Sequence, residues 1–197
     1  MATKAVAVPE ARIPPRERLL AAASELFYEE GVHTVGIDRI IERAGVAKAS
    51  LYSAFGSKDE LVRCYLQDRQ AVRTERIERR VQGVDDPRER ILVVFDYLHE
   101  QAEQPGFRGC AFYNASAESP PGGVIEQVTD EVREWTRALF HRLSTDAGAT
   151  EPDTLAERLM VLYDGATAGA RLDRDPEATT VARTMAATLI DAAIARP

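Results

Sequence analysis

Cysteine is scarce in this chain, two in 197 residues, and Cys64 and Cys110 have neither the spacing of a zinc or redox motif nor the numbers for a disulfide scaffold. Both thiols are expected to be reduced. Histidine is almost as rare. His33, His99 and His141 stand far apart without metal-ligand spacing, so neither a metal nor a cofactor is expected. Long hydrophobic runs are missing too: no stretch approaches the roughly 18 to 20 apolar residues that cross a bilayer. The opening, MATKAVAVPEARIPPRER, lacks the apolar core of a secretory signal. The expectation is a soluble, cytoplasmic protein with no membrane partner. No alternating apolar pattern persists, which argues against sheet. The nucleophile elbow, the phosphate loop, the zincin motif and any recognisable pair of catalytic carboxylates are also absent, which argues against an enzyme.

What is present is an apolar content of 45%, enough for a globular core, and a net charge of -7 that is unevenly spread. Residues 1–63 carry nine basic and nine acidic side chains; the remainder carries sixteen and twenty-three. An excess of acid confined to the C-terminal two-thirds leaves room for a local nucleic-acid surface at the N-terminal end while discouraging nonspecific binding elsewhere.

The pattern is helical throughout. Residues 1–15, with Pro9, Pro14 and Pro15, read as a basic arm to which Arg12, Arg16 and Arg18 lend charge. From Arg16 the apolar positions Leu19, Leu20, Ala23, Leu26 and Phe27 recur at helical spacing up to a stop at Gly31. Helices are predicted from about Ile37 to Ala44 and from about Lys48 to Phe55, with Gly45-Val46 between them. Ser57 and Glu60 form a capping box that opens a long helix to roughly Val81. Asp86-Pro87, Pro152 and Asp175-Pro176 mark further helix starts. A short segment follows Pro105-Gly106, and an amphipathic run extends from Val124 to about Ala147 after the loop at 120–123. The sum is an all-α protein of about nine helices, divided into the arm 1–15, an N-terminal helical domain 16–62 and a C-terminal helical domain 63–197.

Residues 34–61, TVGIDRIIERAGVAKASLYSAFGSKDEL, carry the function. Two short helices that cross need apolar residues at their contact, a residue that tolerates the turn, and polar residues on the outer face of the second helix. Ile37, Ile40, Ala44, Val46, Leu51 and Phe55 supply the contact, and Gly45 the turn. Lys48, Ser50, Tyr52 and Ser53 are left to face a groove or the phosphate backbone. Lys58 offers a point charge, and Thr34 and Gly36 lie at the start of the first short helix, whose free donors and dipole suit a phosphate. An ordinary helical bundle is the alternative reading of the same residues, with Tyr52 and Phe55 in its core.

The run AGVAKASLYSAFGSKDEL resembles the tetracycline-repressor (TetR) family of bacterial regulators: the alanine-glycine-valine turn, the leucine-tyrosine pair, the phenylalanine, and the serine-lysine-acid opening of the next helix. The resemblance implies that Lys48, Ala49, Ser50, Tyr52 and Lys58 touch DNA. Ala54, Ile41 and Gly36 depart from the usual tyrosine or histidine, alanine and hydroxyl cap, so one phosphate contact is expected to be missing and helix packing slightly altered.

In the C-terminal half, TLAERLMVLYDGATAGARL at 154–172 and the alanine-rich last helix suit close helix approach. The resemblance implies a four-helix homodimer interface, for which Gly165, Ala166, Gly169, Met185 and Leu189 are the candidates. GFRGCAFYNASAE, residues 106–118, resembles the sixth helix of that family. Phe95, His99, Cys110, Tyr113, Asn114, Trp135 and Tyr163 are candidates to line an effector pocket, each also readable as core packing. A pseudo-palindromic DNA operator, a second copy of the chain and a small-molecule effector are thus the expected partners, and a repressor released by that effector the expected function. A DNA-binding architectural protein without an effector is the competing possibility.

Overall fold

The computed structural model describes residues 13–194 of the chain. Among them are nine helices: α1 (Pro15–Glu30), α2 (Ile37–Ala44), α3 (Lys48–Phe55), α4 (Lys58–Gln82), α5 (Pro87–Ala102), α6 (Ala111–Ala117), α7 (Val124–Asp146), α8 (Pro152–Asp173) and α9 (Glu177–Ala193). Most of the expected arm, residues 1–12 with Arg12, lies outside the described residues.

Local chemistry accounts for the helix limits. Ser57 Oγ accepts the Glu60 N–H at 3.1 Å and starts α4, but the expected return bond is replaced, because the Glu60 carboxylate pairs with Arg63 at 3.3 Å. Asp86 caps α5 by accepting the Arg88 N–H at 2.9 Å, with Pro87 in the first turn where its missing N–H costs nothing. Asp175 Oδ1 takes the Glu177 N–H at 2.9 Å, so α9 begins just after Pro176 rather than on it. The end of α9 is fastened by Thr150, whose N–H and hydroxyl both donate to the Ala193 carbonyl, at 3.0 and 3.2 Å.

Two apolar cores are stacked along α4 and α7. The first gathers Leu19, Phe27, Ile40, Leu51, Phe55, Leu61 and Tyr65 with Phe112, Val128 and Val132, so the N-terminal helices share a core with α6 and the start of α7. The second holds Ile77 and Val81 of α4, the buried face of α5, Leu139, Phe140 and Leu143 of α7, and the inner faces of α8 and α9. The division expected at residue 62 therefore falls inside α4 and inside the first core. Between the two cores α4 presents Arg69 and Arg73, and α7 presents the buried Thr136, so a polar waist separates them.

Candidate nucleic-acid interface

The turn between α2 and α3 closes as its residues predict. Gly45 adopts φ +62°, ψ +43°, a left-handed conformation that glycine enters without a Cβ penalty. The backbone N–H groups of Gly45 and Val46 return to Glu42 and Ile41, each at 3.1 Å. Ile40, Ala44, Leu51 and Phe55 are buried beneath the turn. Arg18 of α1 holds it from below: Nη1 donates to the carbonyls of Ala44 and Gly45, both at 3.1 Å. Arg43 and Arg39 pair with Glu25 and Glu30, binding α2 to α1.

This scaffold exposes one face of α3. Lys48, Ala49, Tyr52 and Ser53, spaced at i, i+1, i+4 and i+5, are all exposed, and Tyr52 keeps 46% of its surface in solvent. Ser50 is half-buried, while Thr34 and Gly36 are exposed at the entry to α2. Both short helices begin without a side-chain cap, at Gly36 and at Ala47, so their first N–H donors are left for an outside acceptor. Lys48 bonds to Asp38 Oδ1 at 3.0 Å, and that hydrogen bond, followed by the attraction of the same carboxylate, raises its pKa.

Lys58 is the exception among the predicted contacts. Its Nζ lies 5.9 Å from the centre of the Phe27 ring, the residue is half-buried, and burial lowers its pKa. The cation rests on an aromatic face instead of standing beside Tyr52. Arg18 and Arg16 correct the sequence reading in the other direction. Both belong to α1, not to an arm, and Arg16 stacks 5.1 Å over the Phe55 ring. Nothing local to Arg18 announced its role, since its partners lie 26 and 27 residues away. Ile41, half-buried, packs against the first core without disturbing the turn.

The N-terminal helices are tied directly to α6 and the loop before it. Tyr28 Oη accepts the Arg108 N–H at 2.9 Å and donates to the Gly109 carbonyl at 3.2 Å. After α1, the His33 N–H donates to Glu118 Oε2 at 3.2 Å, and His33 Nε2 lies 3.3 Å from Ser119 Oγ. Gly31, at φ +95°, leaves the space that Glu118 occupies, because a Cβ there would fall 2.6 Å from Oε1.

The candidate effector residues do not form one group. Phe95, Tyr163 and Phe140 make a ring cluster with centroids 6.0 to 6.4 Å apart, and Arg73 stacks over Trp135 and Tyr163 at 5.2 and 5.4 Å. Cys110 caps the start of α6 beside the first core, with no hydrogen bond from its side chain to the helix. Asn114 Nδ2 is used at 2.9 Å by the Arg108 carbonyl. His99 Nδ1 meets Thr179 Oγ1 at 2.7 Å and thereby joins α5 to α9. Tyr113 is 70% exposed and lines no interior. A side chain's helical phase, which periodicity reveals, does not say which of two stacked cores it enters.

The small-residue face divides similarly. Ala166 is buried in the second core of the protomer, and a Cβ on Gly169 would meet the Ala178 Cβ at 2.8 Å, so both serve packing within the protomer. Gly165 opens to solvent, Met185 is exposed and Leu189 is half-buried. The outward stripe is Val161, Gly165, Ala168 and Leu172 on α8, and Val181, Met185, Thr188 and Ala192 on α9; Val161 and Leu172 are 72% and 78% exposed. Both stripes repeat at i, i+4, i+7 and i+11. Among the described residues no helix is long and apolar enough to cross a membrane, and no group of His, Cys, Asp and Glu is placed to hold a metal ion.

Comparison with known proteins places this architecture. The profile described as "Bacterial regulatory proteins, tetR family" matches residues 19–64, and that described as "Tetracyclin repressor-like, C-terminal domain" matches residues 87–186. The HTH-type transcriptional activator FasR of Mycolicibacterium smegmatis is 34% identical over 144 residues, 70% of this chain; the match spans 64% of the relative's own length. A solved TetR-family transcriptional regulator from Streptomyces coelicolor superposes with a TM-score of 0.86 at 30% identity, covering 91% of this chain and 95% of that one. The reduced form of Escherichia coli NemR superposes with a TM-score of 0.79 at 26% identity, covering 93% and 99%.

Proposed function

The chain belongs to the tetR family of bacterial regulatory proteins, DNA-binding transcriptional regulators and not enzymes, and from that premise we propose that it is a homodimeric repressor released from a pseudo-palindromic operator by a small-molecule effector. The observation that carries the DNA reading is the exposed α3 face of Lys48, Ala49, Tyr52 and Ser53 beside two uncapped helix starts. Side chains on that face meet base edges and phosphates, while the free N–H groups at Gly36 and Ala47 meet phosphate oxygens. Ser50 and Thr34 border the same surface. Lys58 joins it by rotating its flexible stem off Phe27 toward a phosphate, exchanging one partner of a cation for a stronger one.

Two half-sites about 34 to 36 Å apart require two copies of α3 held in fixed relation. The apolar stripes of α8 and α9 supply the surface for that pairing, because four such helices from two protomers bury Val161, Leu172, Val181 and Met185 together. Repression and its relief then follow from linkage: an effector that binds better to a conformation whose two α3 helices no longer match the half-sites lowers operator affinity by its differential affinity. The ties from Tyr28 to the loop before α6 and from His33 to Glu118 and Ser119 are the contacts through which the helical half biases the DNA-binding helices.

Footprinting the purified protein on the DNA flanking its own gene tests this reading. A protected pseudo-palindrome, and transcription in vitro that falls when protein is added, are the expected results. No specific protection overturns the operator assignment; protection with stimulated transcription makes the protein an activator.

A further inference from the structure

The chain is rich in acid, with 32 carboxylate side chains against 25 basic ones, and the excess lies after residue 63. Three of the six arginines of α4 find carboxylates: Arg63 pairs with Glu60, Arg79 with Glu75 and Arg80 with Glu100. Arg73 does not. Its guanidinium donates to Gln70 Oε1 at 3.1 Å and Thr136 Oγ1 at 3.0 Å, and through Nε and Nη2 to Tyr163 Oη, both at a long 3.4 Å. Every one of these partners is neutral. The ionisable group in contact with it is the phenol of Tyr163. Burial works against the Arg73 charge, and Tyr163 offsets it as an acceptor.

A cation placed at the waist between two apolar cores, largely withdrawn from water and without a counter-charge, costs stability that an apolar residue would not cost. The planar fork suits a carboxylate, which replaces the two 3.4 Å contacts with two short charge-assisted bonds. Trp135 and Tyr163 flank the fork, and Phe95 and Phe140 pack on the Tyr163 ring, an aromatic surround that suits an apolar or aromatic body. Arg73, Trp135, Tyr163 and Gln70 each remain partly exposed, which puts the cluster at the margin of the core instead of sealing it.

We infer that Arg73 is the anchor for a singly charged organic carboxylate with an apolar or aromatic body, seated at the waist between α4, α7 and α8. One guanidinium balances one negative charge. The neighbouring Arg69 is held over Tyr28 and Tyr65, at 4.0 and 5.3 Å, with its buried Nε unbonded, so a doubly charged phosphate monoester gains a second cation only by drawing Arg69 off both rings. The inference rests on the reading that the helical half takes a small-molecule effector, and it states the chemistry of that molecule.

Trp135 is the chain's single tryptophan, so its fluorescence reports on this site in the intact protein. The probes are decanoate and phenylbutanoate, each beside its neutral amide, with phenylbutyl phosphate as the dianion. The acids are expected to bind roughly tenfold or more tightly than their amides, the worth of a charge-assisted pair. Arg73→Gln removes that preference and leaves the thermal midpoint unchanged or raised; Arg73→Lys keeps charge without the fork and retains part of it, which preserves the comparison should the glutamine variant not fold. Equal binding of acid and amide, binding of neither, tighter binding of the phosphate, or a preference that survives Arg73→Gln overturns the inference. Operator affinity measured with the same probes separates the two readings. Arg73-dependent binding without DNA release upholds the carboxylate site and overturns effector release; release by amide and acid alike does the reverse.

Discussion

Arg18 Nη1 sits 3.1 Å from the carbonyl oxygens of both Ala44 and Gly45, so a cation on α1 neutralises the negative end of α2 at the turn into α3. Both carbonyls belong to a helix terminus that has no further intrahelical donors. The recognition face is therefore set partly by a residue that does not lie on it.

Arg18→Met is expected to retain the apolar stem and lose the two charge-assisted bonds, lowering stability by about 1 to 3 kcal/mol. Operator affinity should fall further than Tyr52→Phe lowers it, although Arg18 lies on α1 and not on the α3 face. Thermal unfolding beside a gel-shift titration checks this; an unaltered affinity would show that the turn holds its shape unaided.

Tyr52→Phe removes one exposed hydroxyl and should weaken operator binding without changing the thermal midpoint. Lys58→Ala separates two positions of one side chain. If the ammonium leaves Phe27 for a phosphate when DNA binds, the log-log salt dependence of affinity flattens by about 0.9. A slope equal to the parent's means that it stays on the ring.

Gly169 lies between α8 and α9 and Met185 on the exposed face of α9, and their substitutions should fail differently. Gly169→Leu drives a side chain into Ala178 and is expected to cost the protomer about 1 to 3 kcal/mol by overpacking. Met185→Glu places charge on the outward stripe, leaving the fold intact and the dimer dissociated. Sedimentation distinguishes them, and a Met185→Glu variant that remains dimeric would remove α9 from the interface.

Cys110 occupies the N-cap of α6 at φ -76°, ψ 118° without a side-chain bond to the helix, although serine is among the best residues there. In Cys110→Ser the new cap offsets the lost sulfur packing, so stability should stay within about 1 kcal/mol of the parent. Ligand-free DNA affinity should be unchanged, as should the carboxylate titration at Trp135, because Cys110 packs against the first core and not in the ring cluster. A large loss of both stability and DNA affinity would assign Cys110 to the core alone.

The helix limits were legible because each depends on neighbours in the chain. Ser57, Pro87 and Gly45 act within four residues of themselves, through a cap, a preset φ and a left-handed turn. The α3 face was legible for the same reason: burial of Leu51 and Phe55 on one side leaves Lys48, Tyr52 and Ser53 on the other. The pocket candidates were less so. Phe95, Trp135 and Tyr163 meet at one place, while His99 bonds to Thr179, Asn114 to Arg108, and Tyr113 faces solvent.

By itself, then, the sequence determined the all-α class, the order of the helices, the turn at Gly45 and the family to which the chain belongs, since propensity, capping and apolar period are short-range properties. Only the tertiary structure decided that Arg18 would hold the turn, that Lys58 would rest on Phe27, that Gly169 would face Ala178 and that Arg73 would stand among neutral partners at the waist. Those outcomes depend on where residues tens of positions apart meet. Long, flexible cationic side chains take whichever partner the packed helices bring within reach, and no local pattern encodes that choice.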